Sequence, residues 1–151
     1  MNSLKIIIFF FFSNFISSLV NAQALPVESL EFKQLQAIGY EIKPSNDKNW
    51  SIATLDSNKL ALQKTSERTV VAAYFTRKSG LNSQQELELL RIVNKLNTEY
   101  LYQFALSDTS LACAIYIYGP HDTKSFSKII RYMEDLDGIL DKYPEIFKLL
   151  N

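Results

Sequence analysis

The chain has few of the residues from which common catalytic and metal-binding sites are built. Its 151 residues include one cysteine, one histidine and four glycines. A single cysteine excludes an intramolecular disulfide, and one cysteine with one histidine leaves too few nitrogen and sulfur ligands for an ordinary zinc site. The sequence contains no glycine-rich phosphate loop, nucleophile elbow or paired-cysteine motif. We therefore expect a protein that is not an enzyme and that holds no cofactor and no metal.

Neither sign of charge is in excess. Sixteen Lys and Arg residues balance sixteen Asp and Glu residues, so the formal net charge is zero at pH 7. A domain that binds nucleic acid normally carries a basic face, and basic side chains likewise draw a protein to an anionic membrane surface. The balance therefore favours a protein partner, with no nucleic acid and no membrane bound by the mature chain.

The N-terminus carries an apolar run with the layout of a secretory signal peptide. Lys5 precedes the run at 6–12, polar residues interrupt it, and Ala22 or Ala24 stands where a signal peptidase would cut. An uncleaved membrane anchor is the alternative, but the run is much shorter than the roughly 20 apolar residues that span a bilayer. We expect a signal peptide at 1–22 and an exported domain at 23–151, in the periplasm or outside a bacterial cell.

Beyond residue 22, helical and strand-like periodicities follow one another in a definite order. Amphipathic spacing predicts three helices, at 27–38, at 83–100 and from 122 onward. Two-residue alternation predicts five strands, at 50–55, 59–64, 69–77, 102–106 and 111–118. The order α-β-β-β-α-β-β-α predicts an α+β fold, in which a five-stranded, mostly antiparallel sheet has its helices packed on one face.

Local signals predict where the helices begin, end and turn. Gly39 is placed to end the first helix, and Ser83 with Glu86 fits a capping box at the start of the second. Pro144 is expected either to kink the last helix or to restart it. In the first helix Leu35 is expected to face the core, and the charged residues, Glu31 among them, are expected to face water.

Four segments carry a resemblance to a known family. They are 35–40 at the end of the first helix, 93–97 in the second, 104–105 before the late hairpin and 133–137 in the last helix. At this order of elements the chain resembles the YbjN-domain proteins, a group provisionally described as bacterial sensory transduction regulators, whose fold is similar to that of type III secretion chaperones. The resemblance implies a protein-binding or chaperone-like domain that forms dimers, and it supplies no catalytic residues. An export signal is not part of the basic domain, and 119–121 replaces a more glycine-rich stretch.

Alternation along the fifth predicted strand separates its aliphatic side chains from its alanines and tyrosines. If the aliphatic side chains meet the helices, the other face stays open. The third predicted strand divides in the same way and adds Tyr74 to this face. The residues that we expect there to bind a partner are Tyr74, Ala112, Ala114, Tyr116 and Tyr118. Tyrosine suits such a surface because it offers area and a hydrogen bond at a low cost in side-chain entropy. The alternative is that the chain itself, or a second copy in a homodimer, covers this face.

Two asparagines three positions apart, Asn94 and Asn97, are expected to point toward protein rather than water. Buried amides need hydrogen-bond partners, and backbone groups of the adjacent hairpin would supply them, making the pair a structural polar bracket. A ligand-binding role is the alternative.

The remaining chemistry-bearing residues favour structural roles. Asp122 is best explained as a helix cap with His121 beside it, and Cys113 as a buried, unreactive thiol rather than half of an intermolecular disulfide. The function predicted is therefore an exported, non-enzymatic, protein-binding or chaperone-like regulatory domain that acts through an exposed sheet face. The alternative is a module that binds a small apolar ligand in a pocket between sheet and helices, near Phe75, Phe104, Phe126 and Met133.

Overall fold

The computed structural model describes residues 22–151, so that all of the predicted signal peptide except Ala22 lies outside the described residues. The described chain contains four α-helices: α1 (Leu30–Ala37), α2 (Ser83–Glu99), α3 (Thr123–Glu134) and α4 (Leu136–Leu140). A single 3-10 turn, Ile146–Lys148, follows near the C-terminus. None of the described helices is both long enough and apolar enough to cross a membrane.

Six strands form one antiparallel sheet. They are β1 (Glu41–Pro44), β2 (Ser51–Leu55), β3 (Asn58–Lys64), β4 (Arg68–Thr76), β5 (Gln103–Leu106) and β6 (Ser110–Tyr118). In space they lie in the order β1-β2-β3-β4-β6-β5. The two long strands β4 and β6 pair over their whole length, from Arg68 opposite Tyr118 to Thr76 opposite Ser110.

The predicted α+β class is confirmed, but the prediction of five strands is wrong. The missed strand is β1, which pairs with β2 from Glu41 opposite Thr54 to Pro44 opposite Ser51. Its four residues include two charged side chains and a proline, so no alternating apolar pattern reveals it. Proline is tolerated there because β1 is an edge strand, in which one side of the backbone needs no ladder partner.

One face of the sheet carries the helices. Side chains from all four helices pack with alternate residues of β2, β3, β4 and β6 in a single core. The most completely buried large side chains of this core are Leu35, Leu62, Leu89, Leu96, Leu111, Phe126, Ile130, Leu140 and Ile146. Cys113 is buried in the same core, as predicted, and burial raises the pKa of its thiol. The opposite face is packed against no described helix.

Helix α1 is capped by a serine at its start and terminated by a glycine at its end. The Ser29 hydroxyl accepts a hydrogen bond from the Phe32 N–H at 3.2 Å, which caps the first turn. At the other end Gly39 adopts a φ of 100°, in the left-handed region that side chains disfavour. The N–H of Tyr40 then reaches back to the carbonyl of Leu35 at 2.9 Å. The predicted role of Gly39 is confirmed.

Helix α2 has its capping box one residue earlier than predicted. Asn82, not Ser83, is the cap: its side chain accepts from the Gln85 N–H at 3.0 Å, and the Gln85 side chain accepts from the Asn82 N–H at 3.0 Å. Asparagine caps helices as well as serine does, and glutamine can replace glutamate in the reciprocal bond. The sequence therefore offered two overlapping boxes of similar strength.

The last third of the chain turns earlier than predicted. Asp122 caps α3 as expected, accepting from the Ser125 N–H at 2.7 Å. The helix then breaks at Asp135, and α4 carries the apolar stripe in a new direction. Pro144 lies beyond this break, between α4 and the final 3-10 turn. The chain end returns to the sheet, where the Asn151 N–H donates to the carbonyl of Thr76 at 2.8 Å.

Candidate functional site: the open face of the sheet

Strand register assembles the side chains of the open face. Val70, Ala72 and Tyr74 of β4 lie opposite Tyr116, Ala114 and Ala112 of β6. Ala61 and Gln63 of β3 lie opposite Ala72 and Val70. Because directly paired residues share a face, all of these side chains point away from the helices. The face combines small residues at its centre with aromatic residues around them.

Two tyrosines stack at one end of this face. The rings of Tyr116 and Tyr118 are 6.5 Å apart at an interplanar angle of 25°, and the Arg68 guanidinium carbon lies 4.8 Å from the centroid of the Tyr116 ring. Tyr118 is 67% exposed, whereas Tyr116 is half-buried. Burial raises the pKa of the Tyr116 hydroxyl, an effect that the Arg68 charge partly offsets. The Tyr116 ring is therefore neutral aromatic surface at neutral pH.

The centre of the face is less accessible than the sequence indicated. Val70, Ala72 and Ala114 form a small buried cluster, against which Trp50 and Tyr116 pack. Ala112 is half-buried, and Tyr74 is 49% exposed. Of the five residues predicted to contact a partner, Ala114 is covered by rings of its own chain. The accessible surface is made by the aromatic residues, with Trp50 added to the predicted set.

A hollow opens beside these rings. Its volume is about 360 Å³, and its lining residues are Ser45, Trp50, Ile52, Lys59, Ala61 and Tyr74. Pairing of Ile52 with Ala61 places both side chains in the middle of the hollow. Trp50 and Tyr74 supply aromatic surface, and Lys59 supplies a positive charge. This hollow was not predicted from the sequence.

Two-residue alternation along 50–55 puts Trp50, Ile52 and Thr54 on one side of their strand. Nothing in the sequence relates that side to Tyr74. The missing information is the register of β2 on β3 and of β3 on β4. A two-residue period defines the faces of one strand, whereas register across two turns depends on pairing.

Asn97 joins α2 to the edge of the sheet. Its side-chain N–H donates to the carbonyl of Phe104 at 2.9 Å, and its side-chain carbonyl accepts from the Phe104 N–H at 2.7 Å. This is the geometry expected of a polar bracket between the helix and the hairpin. Asn94 is exposed and makes no side-chain hydrogen bond within residues 22–151, so the two asparagines do not act as a pair.

A buried carboxylate lies between α1 and the β3–β4 hairpin, where the sequence predicted none. Glu31 is fully buried, and its two oxygens accept hydrogen bonds from the Lys64 ammonium at 2.7 and 2.8 Å. The Thr69 hydroxyl donates to it at 2.8 Å. Nε2 of His121 lies 3.2 Å from the same carboxylate, without the geometry of a hydrogen bond. The expectation that Glu31 faces water is therefore wrong.

The burial of Glu31 could have been predicted from its spacing to Leu35. Glu31 and Leu35 are four residues apart and so lie on the same helix face, and Leu35 was correctly assigned to the core. Burial by itself raises the pKa of Glu31. The hydrogen bonds from Lys64 and Thr69 and the charge of Lys64 outweigh that effect and bring the pKa below its usual 4.5. Glu31 is thus ionised at neutral pH and anchors α1 to the sheet.

A second hollow, of about 300 Å³, lies beside this network. It is lined by residues of α1, the β3–β4 turn and the loop at 119–121. Its buried carboxylate, Glu31, is already paired with Lys64. Within residues 22–151 no group of three or more histidine, cysteine and carboxylate side chains is placed to hold a metal.

The residues predicted to surround an internal apolar ligand lie in the core. Phe104, Phe126 and Met133 are buried there, and Phe75 packs against them at its margin. Neither of the two hollows described above is lined by any of the four. They act as packing residues in this conformation.

Comparison with solved structures shows the fold. No family model matches the sequence, and no curated protein matches it significantly. The crystal structure of YbjN from E. coli, provisionally described as a transcription regulator, superposes with a TM-score of 0.59 at 13% identity, covering 85% of this chain and 99% of that one. An uncharacterised protein from Methanothermobacter thermautotrophicus gives 0.53 at 11% identity, covering 77% and 91%. The chain therefore has a YbjN-like fold, as its sequence predicted.

Proposed function

We propose that this protein is an exported, non-enzymatic binding domain that engages another protein through the open face of its sheet. The observation that carries the proposal is the uneven covering of the sheet. All four described helices pack on one face, and the other presents Trp50, Tyr74, Tyr116 and Tyr118. Aromatic residues set around small ones are typical of protein interfaces.

The exposure of the tyrosines on this face is better explained by binding than by a role in folding. Tyr118 is 67% exposed and Tyr74 is 49% exposed, so neither contributes much buried area to the domain. Large exposed side chains that gather on one surface are a recognised mark of an interaction site. A regulator acts by binding other molecules, and the description of the E. coli protein that shares the fold agrees with such a role.

The partner that we favour is a different protein in the exported fraction, and a second copy of this chain is the alternative. Both would use the same face. The balanced charge of the chain favours a partner recognised through aromatic contact rather than a polyanion.

Crosslinking with mass spectrometry on the exported fraction of the producing cell tests the proposal. The protein, expressed from its full-length sequence, serves as bait beside the variant Tyr116→Ala/Tyr118→Ala. Tyr132→Ala is the matched control, because Tyr132 is a comparably exposed tyrosine on the helical side. We expect a crosslinked partner that the double variant loses at least tenfold and the control retains.

Light scattering on the same samples separates the two kinds of partner. A dimer that dissociates only in the double variant would identify a second copy as the occupant. Equal capture by bait and double variant, with no change in mass, would refute the sheet face as the binding surface.

A further inference from the structure

Charge on the open face is concentrated at two cations that have no partner within residues 22–151. Lys59 is the second residue of β3 and faces this side of the sheet, and Arg68 is the first residue of β4. Neither forms a salt bridge in the described chain, whereas Lys43 on the same face pairs with Glu41 at 2.8 Å. Acidic residues close in sequence, Asp56 and Glu67, lie in turns and form no ion pair with them. The two cations therefore remain available to a partner.

The cations mark the two ends of the aromatic surface. Lys59 lines the hollow together with Trp50 and Tyr74. Arg68 lies over Tyr116, and its own strand partner is Tyr118. From Arg68 to Tyr74 the chain runs six residues along β4, which in a strand is about 20 Å. Continued by two residues, the register of Ala61 opposite Ala72 places Lys59 beside Tyr74. The Cα atoms of Lys59 and Arg68 are thus about 20 Å apart, with aromatic side chains between them.

The hollow between Trp50 and Tyr74 is of a size and chemistry that suit an apolar side chain. Its volume of about 360 Å³ exceeds that of any single side chain, and Ile52 and Ala61 give it an apolar floor. Burial of a leucine-sized side chain in such a site contributes about 1.5–3 kcal/mol when it is complete. Lys59 at the margin would meet a carboxylate next to that side chain.

A buried amide next to the hollow also lacks a partner. Gln63 is 4% exposed on the open face, and its side-chain nitrogen makes no hydrogen bond within the described residues. Buried donors without acceptors are uncommon and unfavourable. A backbone carbonyl of a bound segment that displaced the side chains covering Gln63 would satisfy this donor, which adds a polar contact to the apolar and ionic ones.

We propose that the partner presents an extended apolar segment with an acidic residue at each end, an inference that rests on the proposed function. One of its apolar side chains occupies the Trp50–Tyr74 hollow, and its carboxylates pair with Lys59 and Arg68. Carboxylates about 20 Å apart are six residues apart in an extended chain. The bound segment of the partner is therefore about seven residues long, with an acidic residue at each end and apolar side chains at alternate positions between them.

Trp50 is the only tryptophan in the chain, so its fluorescence reports directly on the hollow. The probe is the synthetic peptide Glu-Ser-Leu-Ser-Leu-Ser-Glu, and its matched control has Lys in place of both Glu residues. Protein expressed from the full-length sequence is titrated with each peptide at low salt. We expect the acidic peptide to change the Trp50 emission and to bind at least tenfold more tightly than the basic peptide.

Charge reversal on the protein completes the test. Lys59→Glu and Arg68→Glu should each weaken the acidic peptide about fivefold or more, the effect of losing one exposed ion pair and gaining a repulsion. Lys128→Glu, on the exposed side of α3, is the control and should change nothing. Added salt should reduce the difference between the peptides.

The outcomes distinguish the two proposals. An emission that neither peptide changes, or that both change equally, overturns the acidic segment. If Tyr116→Ala/Tyr118→Ala still loses its crosslinked partner, the sheet face survives as the binding surface with a different ligand chemistry. If that variant also keeps its partner, both proposals fail.

Discussion

A single asparagine connects the longest helix to the end of the sheet. Asn97 gives both its amide groups to one residue, Phe104, whose ring is buried in the core. Phe104 is the point where β5 begins to contribute to the core, so the bracket fixes the strand at the position that matters for packing. Asn94, three residues earlier on the same helix, is exposed and has no such role.

Replacing Asn97 by alanine should lower the free energy of unfolding by about 1–2 kcal/mol more than Asn94→Ala does. The change leaves the N–H and C=O of a buried residue without partners. Both substitutions raise helix propensity equally, so their difference isolates the hydrogen bonds. Urea unfolding measures it, and coincident midpoints for the two variants would show that the bracket is dispensable.

At the scale of elements, α1 depends on its neighbours. Eight residues are too few for a helix that is stable alone. Leu35 packs in the core, and three side-chain contacts hold the helix region in place. They are the Glu31–Lys64 pair, the hydrogen bond from Gln34 to Ser127 at 2.8 Å, and that from Tyr40 to Glu134 at 2.9 Å. Only the first involves a fully buried charge.

Lys64→Ala should therefore destabilise the protein by about 3 kcal/mol, because it leaves the buried Glu31 carboxylate without its cation. Lys33→Ala is the matched control: Lys33 pairs with Glu28 at the same distance of 2.8 Å, but both side chains are exposed. Surface pairs contribute little, so Lys33→Ala should leave the midpoint of urea unfolding unchanged. Similar losses in the two variants would contradict an anchoring role for Glu31.

Most helices and strands could be predicted from the sequence, and each exception has a physical reason. Gly39 and the five other strands were identified because the backbone conformation or the apolar period of a segment is a local property. Strand β1 was missed because its residues follow no period, and Glu31 was misplaced because its charge outweighed its spacing. The hollow at Trp50 depends on the register of three strands, which no single segment encodes.

For the whole molecule, Glu31 makes the free energy of unfolding depend on pH in the acidic range. Its pKa is lower in the folded protein than the usual 4.5, so the unfolded chain binds more protons in that range. The stabilisation is complete above about 4.5 and is lost as the pH falls through the lower, folded value. Urea unfolding between pH 7 and pH 3 should show this loss.

The variant Glu31→Gln identifies the carboxylate responsible. It should be less stable at pH 7 and should show a shallower decline below pH 4.5, because its side chain cannot be protonated in this range. Glu28→Gln, three residues earlier and exposed, should keep the full decline. A Glu31→Gln profile parallel to that of the unchanged protein would assign the acid sensitivity to other carboxylates.

The two ends of the sheet limit how copies of this protein can associate. A sheet grows into a fibre when a foreign strand pairs with the free backbone of an edge strand. At one end β1 finishes in Pro44, which has no N–H to offer. At the other, the amide of Asn97 already occupies the outward N–H and C=O of Phe104. Strand addition is thus hindered at both ends of the sheet, so that neither edge is a ready starting point for a fibre.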